Sequence, residues 1–138
     1  MMRAGCLTML LLLAAVSASA QEQTAALDTC IAGLHSASGA DACLVELLSI
    51  TTEPLVRAEA FLALGDRQRA HREFRAAVRV GDSATVRTRW GMLYLAAHQY
   101  ADAESMFQQA LALAPGDPAA LTGQALVALW GFDARARE

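Results

Sequence analysis

Apolar residues recur every three or four positions along most of the chain, and this spacing predicts a series of amphipathic helices. The two clearest helices span residues 84–97 and 100–113, with a short polar turn between them. Ser83 lies directly before the first, where its hydroxyl can cap the free amides of the opening turn. Pro115 follows the second and cannot continue a helix. These boundaries predict a helical hairpin.

The same spacing predicts further helices on both sides of this hairpin. Residues 24–34 and 41–50 form two shorter patterns joined by a turn-rich segment. Pro54 stands at the start of another helix, where its missing amide hydrogen costs nothing. Asp117 is placed to cap a last helix over residues 118–130. No strand pattern interrupts this series, so the sequence predicts an all-α fold.

Residues 84–117 form a unit of 34 residues in which small and aromatic side chains fall at fixed offsets. Small residues allow two helix backbones to approach where they cross, and aromatic rings fill the space beside the crossing. The residues that define the pattern are Gly91, Tyr94, Tyr100, Ala103, Phe107, Ala110 and Pro115.

This pattern resembles the tetratricopeptide repeat (TPR), a helical-hairpin unit that stacks into arrays. The three small residues, the three aromatic residues and the proline of the unit all match the family's fixed positions. Arg87 and Trp90 depart from it, since the family often has Trp and Leu there. His98 replaces the Gly that is frequent between the two helices. The resemblance implies a TPR-like antiparallel helix-hairpin solenoid, a short right-handed superhelical array.

Two neighbouring segments extend the resemblance. Residues 51–83 are a weaker copy of the unit, one residue shorter, and residues 118–138 begin a partial third one. Residues 21–50 are predicted to form an N-terminal helical hairpin or cap. The matching residues of the weaker copy are Ala58, Phe61, Gly65, Ala70, Phe74 and Ala77.

Residues 1–20 have the features of a cleavable secretory signal peptide. Arg3 provides the positive start, residues 7–16 form the apolar core, and residues 18–20 are a small-residue cleavage site. The alternative is an uncleaved anchor, but the apolar run is shorter than the ~20 residues that span a bilayer. We therefore expect an exported protein of bacterial type, periplasmic or secreted, with no integral membrane segment after cleavage.

Export changes how two cysteines are interpreted. Cys30 and Cys43 would remain after cleavage, as an even pair in an oxidising compartment. The turn-rich segment between them allows the two helices to fold back on each other, so a disulfide is the favoured prediction. Two buried free thiols and a redox or metal site are the alternatives.

The remaining polar residues do not form a recognisable catalytic pattern. His35, His71 and His98 occur singly, and no motif of a metallohydrolase, serine hydrolase or phosphate-binding loop is present. We therefore expect no enzymatic activity, no cofactor and no metal. The net charge of −3 gives no reason to expect nucleic acid. Arg69 and Glu73, four residues apart, are expected to form a surface ion pair.

Arg72, Arg75 and Arg79 line one side of a helix and are expected to form a solvated face, although such a stripe can also bind an anionic partner.

The resemblance also implies a binding surface, because the first helices of tetratricopeptide repeats line a groove that takes a peptide or helix. A protein scaffold or adaptor is the favoured function. The alternatives are a docking or regulatory part of a larger cell-envelope enzyme or assembly, and a carrier of a small apolar ligand. Apolar residues on the last helix also suggest self-association. The predicted groove residues are Leu55, Glu59, Leu62, Thr88, Arg89, Met92 and Leu95.

Overall fold

The computed structural model describes residues 20–33 and 40–135, and within these ranges the chain forms seven helices. The predicted signal peptide lies outside them, apart from Ala20, and so does His35. The helices are α1 (Ala20–Gly33), α2 (Ala40–Ile50), α3 (Pro54–Ala63), α4 (Arg67–Val80), α5 (Ala84–Ala96), α6 (Tyr100–Leu113) and α7 (Pro118–Arg135).

Consecutive helices pack in pairs, as α1 with α2, α3 with α4, and α5 with α6. These hairpins stack, because α1 also contacts α3, α4 contacts α5, and α7 contacts both α5 and α6. We call α1, α3, α5 and α7 the first helices, and α2, α4 and α6 the second helices. The predicted all-α fold of stacked hairpins is confirmed.

Polar side chains cap the first turns of α5 and α7. The Ser83 side chain accepts a hydrogen bond from the backbone amide of Val86 at 3.2 Å, at the start of α5. The Asp117 carboxylate accepts one from the amide of Ala120 at 3.0 Å, at the start of α7. Both caps were predicted from the sequence. α7 continues to Arg135, five residues beyond the predicted end.

The turns after α3 and after α5 each contain a residue with positive φ. Gly65 supplies it between α3 and α4, with φ 79°. His98 occupies the equivalent place between α5 and α6, with φ 59°. This left-handed conformation is uncommon for a residue with a side chain, and it explains why the family prefers Gly there. The His98 Nδ1 atom lies 2.9 Å from the hydroxyl oxygen of Tyr100.

The ring of Phe107 on α6 fills the space between α5 and α7, and it is completely buried. A methyl group added at Gly91 on α5 would lie 2.7 Å from the Phe107 Cε1 atom. A methyl group added at Gly123 on α7 would overlap the same ring. The ring therefore lies directly against the backbones of two helices, and only glycine fits at both places.

A second aromatic contact joins α4 and α5. Phe74 on α4 is completely buried, and its ring stacks on that of Trp90 on α5 with 6.0 Å between centroids and 8° between planes. Trp90 is itself buried, with Val86 and Leu93 of the same helix in the same cluster. The departure from the family pattern at this position thus supplies the contact between consecutive hairpins.

The N-terminal hairpin is held by the disulfide between Cys30 on α1 and Cys43 on α2, whose Cα atoms are 5.6 Å apart. Leu27 and Leu44, both fully buried, lie in the same cluster as Val56 of α3. The disulfide predicted from the sequence is present, and the hairpin stacks on α3.

The predicted ion pair between Arg69 and Glu73 is not formed, because each of the two residues pairs with a different partner. Arg69 pairs with Asp66 at 3.2 Å, and Glu73 pairs with Arg57 of α3 at 3.1 Å. Arg57 also donates a hydrogen bond to the carbonyl of Leu48 at 3.0 Å. A side chain of the neighbouring helix thus replaces the partner on the same helix.

Replacing Gly91 with Ala is expected to lower the free energy of unfolding by about 1–3 kcal/mol, because the new methyl group overlaps the Phe107 ring. Urea denaturation followed by circular dichroism measures the loss. Gly81→Ala is the matched control, since its methyl group would meet nothing within 4 Å. A Gly91→Ala protein as stable as the control would contradict this packing.

Breaking the disulfide is expected to lower the stability of the N-terminal hairpin by about 3 kcal/mol, because the bond closes a short loop in the unfolded chain. Thermal unfolding with and without a reductant measures this effect, and a Cys30→Ala, Cys43→Ala double variant should not respond to the reductant. Peptide mapping after alkylation without reduction gives a direct check. Alkylated Cys30 and Cys43 would show that the bond is absent.

Candidate partner-binding surface

Side chains from three first helices converge on one face of the stack. The Nε atom of Arg89 on α5 lies 3.3 Å from a carboxylate oxygen of Glu59 on α3. Burial raises the pKa of Glu59; the charge of Arg89 opposes this, and the charge of Asp28 on α1 adds to it. α1, α3 and α5 therefore present charged groups to the same surface.

Apolar side chains continue this surface towards α7. Met92 follows Arg89 by three residues on α5 and is half-buried. Leu126 of α7 is also half-buried, and both side chains pack against the cluster that contains Phe107 and Val127. Met92 and Leu126 are 34 residues apart, so they occupy equivalent positions in consecutive units. Leu126 is not among the groove residues predicted from the sequence, although the repeat spacing points to it.

Two of the predicted groove residues lie beneath the surface. Thr88 is buried and its hydroxyl donates a hydrogen bond to the Asp117 carboxylate at 3.2 Å. Leu95 is buried in one cluster with Val127 of α7. Both side chains are therefore part of the contact between α5 and α7, and neither is free to contact a partner.

Leu55 and Leu62 occupy the positions on α3 that Thr88 and Leu95 occupy on α5, but they are less deeply buried. Both are half-buried and pack against the cluster that contains Val86 and Leu93 of α5. They form the margin of the surface between α3 and α5. We use the name first-helix surface for the face formed by Leu55, Glu59, Leu62, Arg89, Met92 and Leu126.

The first-helix surface combines an apolar strip with one acid–base pair. Such a surface suits an extended or helical segment that contributes apolar side chains, with charged groups setting its register. Glu59 and Arg89 already pair with each other, which leaves the surface without a cluster of basic groups for binding a terminal carboxylate. The chemistry of the surface thus favours a mostly apolar segment of a partner.

The basic stripe lies elsewhere. Arg72, Arg75 and Arg79 are exposed on α4, a second helix. None of them forms an ion pair with a residue in the described part of the chain. This agrees with the solvated face that was expected.

A polar and aromatic cluster joins α4, α5 and α6. The indole nitrogen of Trp90 donates a hydrogen bond to His71 Nδ1 at 2.9 Å, and the rings of His71 and Tyr94 have centroids 4.8 Å apart. Burial lowers the pKa of His71 and the charge of Arg75 lowers it further, whereas the charge of Asp102 opposes them. Burial raises the pKa of Tyr94. His71 is thus held neutral as a hydrogen-bond acceptor.

Residues 20–33 and 40–135 contain no group of three or more His, Cys, Asp or Glu side chains that could hold a metal ion. None of the helices there combines the length and the apolar character that crossing a membrane requires.

Comparison with known proteins supports the repeat. Residues 84–117 match the tetratricopeptide repeat family. Helices α5 and α6 therefore form a tetratricopeptide repeat, over the same residues that the sequence spacing defined. The predicted repeat is confirmed for this unit. No curated protein and no solved structure matches the chain.

Protonation of His71 is expected to destabilise the junction between α4 and α5, because a protonated Nδ1 cannot accept the Trp90 hydrogen bond. The folded-state pKa lies below the ordinary value of 6.5, so this contribution is complete above pH 6.5 and is lost as the pH falls towards the folded pKa. Urea unfolding at several pH values, followed by Trp fluorescence, measures it. His71→Gln should flatten this part of the profile, and an unchanged profile would contradict the assignment.

Proposed function

We propose that this protein is an exported scaffold that binds an apolar peptide or helix of a partner protein on its first-helix surface. The observation that carries the proposal is the convergence of α1, α3 and α5 at the Glu59–Arg89 pair, beside the half-buried Met92. A tetratricopeptide repeat generally serves protein–protein interaction, and it supports a scaffold without catalytic chemistry.

The energy of binding would come mainly from Met92, Leu126 and the margin residues Leu55 and Leu62. Half-buried apolar side chains lose little conformational freedom when a partner covers them, so more of the buried area contributes to affinity. The Glu59–Arg89 pair would orient the bound segment rather than add affinity, because the two side chains already pair with each other before binding.

Export belongs to the same proposal. Its supports are the signal-like residues 1–20 and the disulfide between Cys30 and Cys43, since disulfides persist in oxidising compartments. The periplasm or the extracellular medium is the location that fits both. The partner would then be another protein of the cell envelope.

Site-specific photo-crosslinking tests the surface. A benzophenone amino acid replaces Met92 in the expressed protein, and Val80, which is 77% exposed on α4, provides the matched control position. We expect Met92 to give one dominant protein adduct that Val80 does not give. The same adduct from both positions, or no protein adduct from Met92, would contradict the proposal.

The captured partner then allows an affinity measurement. Met92→Glu should weaken binding by about tenfold or more, because it introduces a charge into an apolar contact. Val80→Glu adds the same charge elsewhere and should leave the affinity unchanged. Equal affinities for the two variants would place the partner on a different surface.

A further inference from the structure

Charge is distributed unevenly along the stack. Residues 21–56 contain five acidic residues and no Arg or Lys, whereas residues 118–132 contain no charged residue. The first range includes α2 and all of α1 except Ala20, and the second makes up most of α7. The two ends of the stack therefore offer a partner different chemistry, acidic at α1 and uncharged at α7.

Asp28 brings the acidic end onto the same face as the first-helix surface. It directly follows Leu27 on α1, as Glu59 directly follows Ala58 on α3, and both Leu27 and Ala58 are fully buried. After burial, the negative charge of Asp28 is the second influence that raises the pKa of Glu59. Asp28 is exposed and forms no ion pair with any residue that the structure describes. Its charge is therefore available to a partner.

Four side chains at equivalent positions follow one another across the first helices. From α1 to α7 they are Asp28, Glu59, Met92 and Leu126, two acids and then two apolar residues. Arg89 pairs with Glu59 at 3.3 Å and neutralises one of the acids. One negative charge is thus left uncompensated at this end of the surface, and at the other end a partner can cover apolar side chains without desolvating a charge.

We infer, on the basis of the proposed function, that the bound segment carries a basic side chain at one end and apolar side chains at the other. The basic side chain lies over Asp28 and Glu59, and the apolar side chains lie over Met92 and Leu126. A basic group completes the charge balance of the acidic end, whereas an acidic group is repelled there. The reverse orientation places the basic group on the uncharged end, where nothing replaces its lost hydration. The charges therefore fix the orientation of the segment.

The packing of the helices sets the spacing of these side chains in the partner. The acidic pair on α1 and α3 and the apolar pair on α5 and α7 lie two helices apart. Packed helices have axes about 8–10 Å apart, so the two pairs are separated by about 16–20 Å. An extended segment covers this distance with about five or six residues, and a helix covers it with about eleven to thirteen. The partner segment has its basic residue at one of these two distances from its apolar residues.

Selection from a phage-displayed library of random peptides tests the inference on the purified full chain. Peptides of about 16 residues are long enough for the helical spacing. Those that bind the wild type but not Met92→Glu occupy the first-helix surface. We expect these peptides to share an Arg or Lys at one of the two distances from their apolar residues. Met92-dependent peptides with no basic residue in common would overturn the inference.

A charge exchange between the protein and a selected peptide tests the contact itself. Asp28→Arg should weaken binding of the peptide about tenfold, because an attraction becomes a repulsion. Glu46→Arg is the matched control, since it makes the same change at an exposed position of α2, a second helix, and it should leave the affinity unchanged. Replacing the basic residue of the peptide with Glu should restore binding to the Asp28→Arg protein. A peptide whose affinity is not restored would contradict the contact.

Failure of the inference and failure of the proposed function give different results. If no selected peptide depends on Met92, both fail. If the peptides depend on Met92 but bind Asp28→Arg as tightly as Glu46→Arg, only the inference fails. Asp28 and Glu46 are both exposed, so circular dichroism should show that both variants fold as the wild type does.

Discussion

The arrangement of α5, α6 and α7 depends on one aromatic ring. Phe107 lies between the backbones of α5 and α7, against Gly91 on one side and Gly123 on the other. This contact brings three helices together, and it determines how closely α7 approaches α5. A change in this close packing would shift every residue on the adjoining helix faces, because protein interiors tolerate little change in volume. The position of α7 follows from this constraint.

The position of α7 in turn decides which side chains can contact a partner. α7 buries Thr88 and Leu95, while Met92 and Leu126 stay half-exposed beside each other. On α3, Leu55 and Leu62 are covered by α5 only in part. The first-helix surface is therefore a product of stacking, and each added helix converts part of one exposed face into a contact.

Different interactions hold the two ends of the stack together. A covalent bond between Cys30 and Cys43 supports the N-terminal hairpin, whose core contains fewer large side chains. Aromatic packing around Phe74, Trp90 and Phe107 holds the helices from α4 to α7 together.

The sequence by itself determined the helices, the caps at Ser83 and Asp117, the disulfide and the repeat over residues 84–117. These features depend on local spacing and turn chemistry, which residues close together in the sequence determine. Only the tertiary structure decided the close contact at Gly123 and the burial of Thr88 and Leu95. It also decided that Glu73 pairs with Arg57 and not with Arg69. Such contacts join residues of different hairpins. They depend on the distance and the angle at which the hairpins stack.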